Sequence, residues 1–282
     1  MPAPRKKNNM SEHFIAQEPA SPETAHRQYG KVYLVGGGPG DPELLTLRAA
    51  RLLREADTVV YDNLVSSGVM EMVNGRAERI YVGKQCSRHT LSQDEINQLL
   101  VDLARQGKNV VRLKGGDPFI FGRGGEELEV LVQANILFEV VPGITAASGV
   151  SCYAGIPLTH RDHAQSCIFT TGHLKDDSLD LDWATLARPR QTVVIYMGLA
   201  ALPAICRNLL AHGQRSDMPV AVVERGTQPQ QRVITGTLTT IATLTAATAM
   251  QSPSLIIVGD VVRLHQSLHW FAGTAMDALE TA

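Results

Sequence analysis

The 282-residue sequence has few aromatic residues, few cysteines and no long apolar run. Aromatic residues make up 5% of the chain, which argues against an aromatic platform for single-stranded nucleic acid. The cysteines are widely spaced and form no C-x-x-C pattern, so neither a disulfide framework nor a zinc site is predicted. No apolar stretch approaches the roughly 20 residues of a membrane helix, and no apolar segment follows the basic residues 5–7 as a secretory signal requires. We therefore expect a cytoplasmic protein without a membrane partner.

The two signs of charge are nearly balanced. Lysine and arginine number 26 against 28 acidic residues, a formal net charge of −2. This balance excludes a globally basic nucleic-acid binder, and no nucleic-acid partner is predicted. A polyanionic ligand would have to meet a local cluster of arginine and histidine.

The pattern along the chain predicts an α/β protein with two domains and a cleft between them. Residues 1–29 are polar and aperiodic and are predicted to be a disordered tail. Short β-type runs then alternate with amphipathic helices, which is typical of a mostly parallel, buried sheet. The pattern breaks near residues 157–166. We therefore predict an N-terminal α/β domain over 30–160, a C-terminal α/β domain over 161–273 and a short tail over 274–282.

Local signals place individual elements. Ser92 and Glu95 form a capping-box pattern before a helix that Gly107 closes. Asp41 and Pro42 suit the start of a helix whose apolar face runs from Leu44 to Leu53. In the second half, the run 232–237 suggests a β-hairpin. Further strands are expected near 167–171, 192–197, 220–224 and 255–258, and a helix over about 199–211.

Two glycine-rich loops follow predicted strands. The first, Gly36–Pro42, does not fit the G-x-G-x-x-G spacing of a dinucleotide site, and Pro39 removes a backbone donor for phosphate. The second, Lys114–Pro118, again carries Gly-Asp-Pro. Because ligands bind at the carboxyl ends of parallel strands, both loops are expected to line one crevice. An aspartate there suits an amine, a ribose or a sulfonium, although Asp41 and Asp117 would otherwise simply cap helices.

Several long motifs, in order, resemble the tetrapyrrole methylase family. Val35–Ala49 is similar to its first signature, and the stretch from Val110 through Gly116–Gly122 to Pro142-Gly143 is similar to its second. The resemblance covers residues 31–272. Within the family, five runs are most similar to members that methylate uroporphyrinogen III: Gly122–Glu127, Pro142–Ala146, Gly155–Arg161, Tyr196–Gly198 and Glu224–Thr227.

The resemblance implies a fold and a cofactor. The expected fold is that of the class III methyltransferases, in which S-adenosylmethionine lies between two α/β domains of a homodimer; no metal is implied. By position, the residues implied to contact the cofactor are Pro39, Gly115, Gly116, Asp117, Ile120, Thr145, Ala146, Met197, Gly226, Thr227 and Ser254.

Three of these residues have ordinary structural alternatives. Met197 would be a core residue at a strand end, Thr145 a helix N-cap, and Gly226 a turn residue. The sequence alone leaves these alternatives open.

The implied substrate is uroporphyrinogen III, a macrocycle with eight carboxylates, which would be methylated at C2 and C7 to give precorrin-2. Arginine binds carboxylates bidentately, so Arg123 and Arg161, with His160, are the candidate substrate-binding residues. Arg88 and His89 form another basic loop. Each of these residues would otherwise be a solvated surface group.

The implied reaction needs in-line positioning and a base that removes a proton from the macrocycle. Glu126, three residues after Arg123 and so on the same side of a starting helix, is the candidate base, with Arg123 beside it. In a mostly closed cleft its pKa would be raised to suit that role. The alternative is that Glu126 only favours the helix N-terminus.

Other functions stay open at this point. They are a later corrin-ring methyltransferase, a diphthine synthase, a ribosomal-RNA 2′-O-methyltransferase, a nicotinamide dehydrogenase and a non-catalytic tetrapyrrole carrier. The product would lead to sirohaem, cobalamin or haem d1, and the sequence does not choose among them. The 29-residue leader has no room for fused dehydrogenase and ferrochelatase domains, so a standalone methyltransferase is expected.

Overall fold

The computed structural model describes residues 29–83, 91–172 and 179–272. The predicted tails, apart from Tyr29, lie outside these residues, as does the basic loop with Arg88 and His89. In the described part, ten strands form two five-stranded sheets.

The first sheet is entirely parallel, in the order β3-β2-β4-β1-β5. Its strands are β1 (Val32–Gly36), β2 (Thr58–Tyr61), β3 (Glu78–Tyr81), β4 (Val110–Lys114) and β5 (Phe138–Val141). The helices between them are α1 (Leu47–Glu55), α2 (Ser67–Glu71), α3 (Gln93–Arg105) and α4 (Gly124–Gln133). The predicted parallel sheet is confirmed, as is the capping box of Ser92 and Glu95 at the start of α3. Because β1 and β4 are parallel neighbours, the two glycine loops lie side by side at the carboxyl ends of these strands.

The first predicted helix is interrupted. Asp41 caps only a 3-10 turn, Pro42–Leu44, and accepts the backbone N–H of Glu43. The chain is extended at Thr46, whose hydroxyl caps α1 by accepting the N–H of Ala49. The expectation of one continuous apolar face was therefore wrong, and Leu47 is 91% exposed.

The second sheet mixes parallel and antiparallel pairs in the order β6-β7-β10-β8-β9. Its strands are β6 (Ser166–Thr171), β7 (Gln191–Tyr196), β8 (Pro219–Glu224), β9 (Arg232–Thr237) and β10 (Ser254–Val258). Only β6 and β7 pair in parallel. The run 232–237 is one strand, and the hairpin consists of β8 and β9 joined by residues 225–231. The helices of this half are α6 (Trp183–Leu186), α7 (Leu202–Ala211), α8 (Ile241–Ala247) and α9 (His265–Leu268).

One helix, α5 (Ala146–Tyr153), joins the two sheets. It follows β5 of the first sheet, yet Ala147 and Val150 are buried with Val194, Val223 and Leu255 of the second. The predicted boundary at 160/161 stays a prediction, and α5, which precedes it, already packs against the second sheet. The segment 142–153 therefore lies where both sheets contribute side chains.

Within the described ranges, none of the helices is both long and apolar enough to cross a membrane. The same ranges contain no group of three or more histidine, cysteine, aspartate or glutamate side chains arranged to hold a metal ion. Their cysteines, Cys152, Cys167 and Cys206, are free thiols.

Candidate functional site

A cavity of about 250 Å³ lies between the carboxyl ends of β1 and β4 and the ends of β7, β8 and β10. Its wall is mostly apolar, as in many small-molecule sites. Ten of the eleven residues predicted to contact a cofactor line it: Pro39, Gly115, Gly116, Asp117, Ile120, Thr145, Ala146, Met197, Gly226 and Ser254.

The two glycine loops meet at one side of this cavity. The N–H of Gly38 donates to the carbonyl of Gly116 (3.1 Å), and the N–H of Gly116 donates back to that of Gly38 (2.6 Å). Both residues have positive φ, +73° and +68°, a conformation that favours glycine. The expectation that the two loops line one crevice is confirmed.

Asp117 holds the second loop in place. Its Oδ1 accepts the N–H of Phe119 (2.8 Å), and its Oδ2 accepts the N–H of Gly143 (3.0 Å) after β5. It does not cap α4, which begins at Gly124. The carboxylate therefore joins two loops at the cavity wall and places a negative charge there.

Thr145 is in the N-cap position of α5, but its hydroxyl makes no capping hydrogen bond. The hydroxyl lies 2.6 Å from Oη of Tyr196, which also accepts the N–H of Ala147 (2.9 Å). Burial raises the pKa of Tyr196. The N-cap position expected in the alternative is therefore correct, but the side chain does not cap the helix, and the two hydroxyls form a polar pair at the cavity wall.

Met197 and Gly226 both line the cavity. Met197 is 53% exposed with a φ of +53°, so the alternative of a buried core residue was wrong. Gly226 does not have a positive φ; a Cβ there would lie 2.4 Å from Cγ2 of Val150 in α5. The absence of a side chain at Gly226 thus permits close packing against α5.

Thr227 is the predicted cofactor residue that does not line the cavity. It is 2% exposed, and its hydroxyl accepts the N–H of Asp41 (3.0 Å) in the first glycine loop. Its own N–H donates to Oε1 of Gln231 (2.8 Å). The hydroxyl and the N–H of Thr227 are thus both engaged with other protein groups.

The predicted base and its arginine neighbour lie outside the cavity wall. Nε of Arg123 is 2.9 Å from Oε1 of Glu126, and Nη2 is 2.6 Å from Oε2. The two side chains are 57% and 52% exposed, so Glu126 is not in the mostly closed cleft expected for it. The hydrogen bond to Glu126 raises the pKa of Arg123. Their placement on the same side of the helix is confirmed, and their roles stay predictions.

His160 and Arg161 lie in a turn of the connection to β6, also outside the cavity wall. The carbonyl of Arg161 accepts a hydrogen bond from Nη2 of Arg190 (3.3 Å), and the ring of His160 lies 4.8 Å from that of His163. Like Arg123, these two residues do not line the cavity. Their roles in substrate binding stay predictions.

Sequence reasoning missed several residues of the cavity wall, including Leu64, Phe121, Tyr196, Arg225 and Gln228. The rings of Phe121 and Tyr196 are 4.7 Å apart, so they form one aromatic side of the cavity. Phe121, Tyr196 and Arg225 fall inside the motifs that carry the family resemblance, which was an available signal. Leu64 follows β2 and had no such signal.

A buried charge cluster lies beneath the second glycine loop. Oε1 of the fully buried Glu127 accepts hydrogen bonds from Arg112 Nε (3.1 Å), Lys114 Nζ (2.9 Å) and Gln93 Nε2 (3.2 Å). Burial lowers the pKa of Lys114. Because Lys114 directly precedes Gly115, the cluster ties α4 to the strand that carries the loop.

Comparison with known proteins gives consistent matches. The family model for tetrapyrrole (corrin/porphyrin) methylases matches residues 31–242. The chain is 64% identical over 244 residues to a siroheme synthase of Methylobacillus flagellatus, covering 86% of this chain and 52% of that protein. A siroheme synthase of Nitrosomonas europaea is 62% identical over 246 residues, with 87% and 52% covered.

A solved structure is similar over most of its length. The uroporphyrin-III C-methyltransferase of Thermus thermophilus, in complex with S-adenyl homocysteine, superposes with a TM-score of 0.73 at 42% identity. The match covers 83% of this chain and all of that one. In contrast, the chain spans about half the length of the siroheme synthases that it matches.

Proposed function

The chain belongs to the tetrapyrrole (corrin/porphyrin) methylase family, and on that premise we propose that it is an S-adenosylmethionine-dependent C-methyltransferase acting on uroporphyrinogen III. The proposed reaction adds methyl groups at C2 and C7 and gives precorrin-2. The relatives named siroheme synthase favour sirohaem as the destination of that product. The observation that carries the proposal is the cavity in which the two glycine loops meet.

The residues of this cavity fit S-adenosylmethionine. Ile120, Met197 and Leu255 offer apolar surface for the adenine and the thioether part. Gly38, Gly116 and Gly226 expose backbone where polar parts of a ligand approach closely. The carboxylate of Asp117 suits the positive charge of the sulfonium or of the amino group.

The bound cofactor supplies an electrophilic methyl group on a sulfonium centre and becomes neutral S-adenosylhomocysteine. The chain's own residues must hold the pyrrole carbon in line with that methyl group, which is worth on the order of 7–11 kcal/mol of the barrier. Phe121, Tyr196 and Met197 border the cavity as an apolar surface against which a macrocycle can lie. The proton lost from the macrocycle goes to a base, and Glu126 is the proposed acceptor.

The carboxylates of the substrate need cations outside the mostly apolar cavity. Arg123, with about half of its side chain exposed, and Arg161, in an exposed turn, are available to a large ligand on the surface. Arg225 lines the cavity itself, and its Nε lies 3.9 Å from Oε1 of Glu224. We propose that these arginines, with His160, bind the carboxylates of uroporphyrinogen III.

The assembly and the location of the protein are part of the same proposal. The proposed location is the cytoplasm. A homodimer would cover exposed apolar side chains such as those of Phe119, Leu47 and Trp270, which are 56%, 91% and 63% exposed. Sedimentation equilibrium at micromolar concentration is expected to give twice the mass of one chain. A monomer mass at that concentration would remove the dimer from the proposal.

The experiment that tests the function is anaerobic incubation with uroporphyrinogen III and S-adenosylmethionine, followed by mass spectrometry and absorbance. The expected product has gained two methyl groups. If S-adenosylhomocysteine binds but no methyl group is transferred, the substrate is wrong, and later corrin intermediates are tested next. If neither binding nor transfer occurs, the proposed function fails.

A further inference from the structure

Three segments of the chain contact one another, and each contributes part of the cavity wall. They are residues 38–41 of the first glycine loop, helix α5 (Ala146–Tyr153) and the β8–β9 loop (225–231). We call this arrangement the three-segment junction. The first segment follows a strand of the parallel sheet and the third follows a strand of the mixed sheet, so the junction connects the two sheets.

The hydrogen bonds of the junction form a closed ring. Oη of Tyr153 donates to Oδ2 of Asp41 (2.6 Å), and the N–H of Asp41 donates to Oγ1 of Thr227 (3.0 Å). The N–H of Thr227 donates to Oε1 of Gln231 (2.8 Å), and Nε2 of Gln231 donates to the carbonyl of Tyr153 (3.3 Å). Every pair of the three segments is thereby joined by a hydrogen bond.

Glycines also allow each pair of segments to pack closely. At one contact in each pair, a Cβ on the glycine would come far closer to its neighbour than real Cβ atoms do. These contacts are Gly149 with Pro39 Cγ (2.5 Å), Gly226 with Val150 Cγ2 (2.4 Å) and Gly40 with Gln228 Cγ (2.7 Å). The packing and the hydrogen bonds are independent observations, and both join the same three segments.

We propose that Tyr153 and Thr227 are positioning residues that set the separation between the walls of the cofactor cavity. Neither residue lines the cavity, but the three segments that they join carry Pro39, Val150 and Gly226, which do. A ligand that touches all three segments therefore binds tightly only when the junction holds them at the right distance. This inference rests on the proposed function, because it assumes that S-adenosylmethionine occupies the cavity.

The surroundings of Tyr153 suit such a role. Its ring packs against those of Trp270 and Phe271, with centroids 4.9 and 4.8 Å away, so a phenylalanine would keep the packing and lose only the hydrogen bond. The hydrogen bond to Asp41 raises the pKa of Tyr153 to about 12. The phenol is therefore a donor at every pH at which the protein is assayed.

The test compares Tyr153→Phe, Thr227→Val and Thr227→Ser with the wild type, using Tyr33→Phe in β1 as the matched control. Affinity for S-adenosylhomocysteine is measured by calorimetry. Tyr153→Phe and Thr227→Val are each expected to weaken binding by about tenfold. Thr227→Ser, which keeps the acceptor oxygen, and Tyr33→Phe are expected to stay within about twofold of the wild type.

The double variant Tyr153→Phe/Thr227→Val is expected to weaken binding far less than the product of the two single effects, because either substitution alone already breaks the ring of hydrogen bonds.

Kinetics separate positioning from a general loss of structure. In Tyr153→Phe and Thr227→Val, the KM for S-adenosylmethionine is expected to rise about tenfold, while kcat at saturating cofactor and the KM for the tetrapyrrole stay within about twofold.

If the wild type does not bind S-adenosylhomocysteine, the proposed function fails first. If the wild type binds and Tyr153→Phe and Thr227→Val bind equally well, the inference is overturned. Should Tyr153→Phe not fold, Thr227→Val against Thr227→Ser decides, and equal losses in those two overturn it.

Discussion

Glu126 and Glu127 are adjacent residues in the first turn of α4, yet their surroundings are opposite. The side chain of Glu126 is 52% exposed and pairs with Arg123 at the surface. The side chain of Glu127 is fully buried and pairs with Arg112 and Lys114. One helix turn therefore contributes to two regions, the protein interior and the surface. Glu127 joins the helix to the sheet, and Glu126 is accessible to a ligand from the solvent.

The energetics of the two regions differ for a physical reason. Water screens an exposed ion pair, so it contributes little to stability. A buried pair has lost its hydration, and removing one partner leaves the other charge without compensation. We therefore expect the buried cluster to contribute to stability and the exposed pair to contribute to turnover rather than to stability.

The largest expected effect comes from removing Glu127. Among the described residues, Glu127→Ala leaves Arg112 and Lys114 buried with Asp62, 3.3 Å from Nη2 of Arg112, as the remaining carboxylate partner. We expect a loss of about 3–5 kcal/mol in the free energy of unfolding, measured by urea denaturation. Glu126→Ala, one residue away, is the matched control, with an expected change within about 0.5 kcal/mol. Equal losses in both variants would contradict the distinction between the two regions.

The same pair shows how far the sequence could predict the site. The spacing of three residues placed Arg123 and Glu126 together, because helix geometry is local. The glycine loops were also predictable, since strand ends and glycine backbone are local properties as well. The environment of Glu126 was not, because burial depends on which distant segments cover a helix. For the same reason, nothing in the sequence separated Glu127, which the parallel sheet covers, from Glu126.

Pairing between strands was predictable only in part. Alternating strands and helices indicated the parallel sheet, because a parallel connection needs a crossover helix. In the second half, the strands were expected close to where they occur, but the position of β10 between β7 and β8 depends on long-range contacts. Thr227 is a similar case, since its motif placed it near the cofactor and only the fold shows that its hydroxyl binds Asp41.

The second-largest expected effect is a loss of turnover in a variant of Glu126. If Glu126 is the base, Glu126→Gln removes the proton acceptor and is expected to lower kcat by about 100-fold, equivalent to about 2.7 kcal/mol. Affinity for S-adenosylhomocysteine and stability are expected to stay unchanged, because the side chain is exposed and outside the cavity wall. Glu129→Gln, on the same helix and also exposed, serves as the control. Wild-type turnover in Glu126→Gln would leave Glu126 as no more than a surface partner of Arg123.

The smallest expected effect concerns Arg123. Two substitutions separate the contribution of its ion pair from that of its backbone conformation. Arg123 has a φ of +56°, a left-handed conformation that is unfavourable for any residue with a Cβ. Arg123→Ala removes the ion pair and keeps this strain, so we expect a loss of at most about 0.5 kcal/mol in the free energy of unfolding. Arg123→Gly removes the same ion pair but relieves the strain, and it is expected to be more stable than Arg123→Ala by about 0.5–1 kcal/mol. Urea denaturation of the two variants checks the order. If Arg123→Ala instead lost as much stability as Glu127→Ala, the exposed pair would be structural, and the contrast between the two glutamates would not hold.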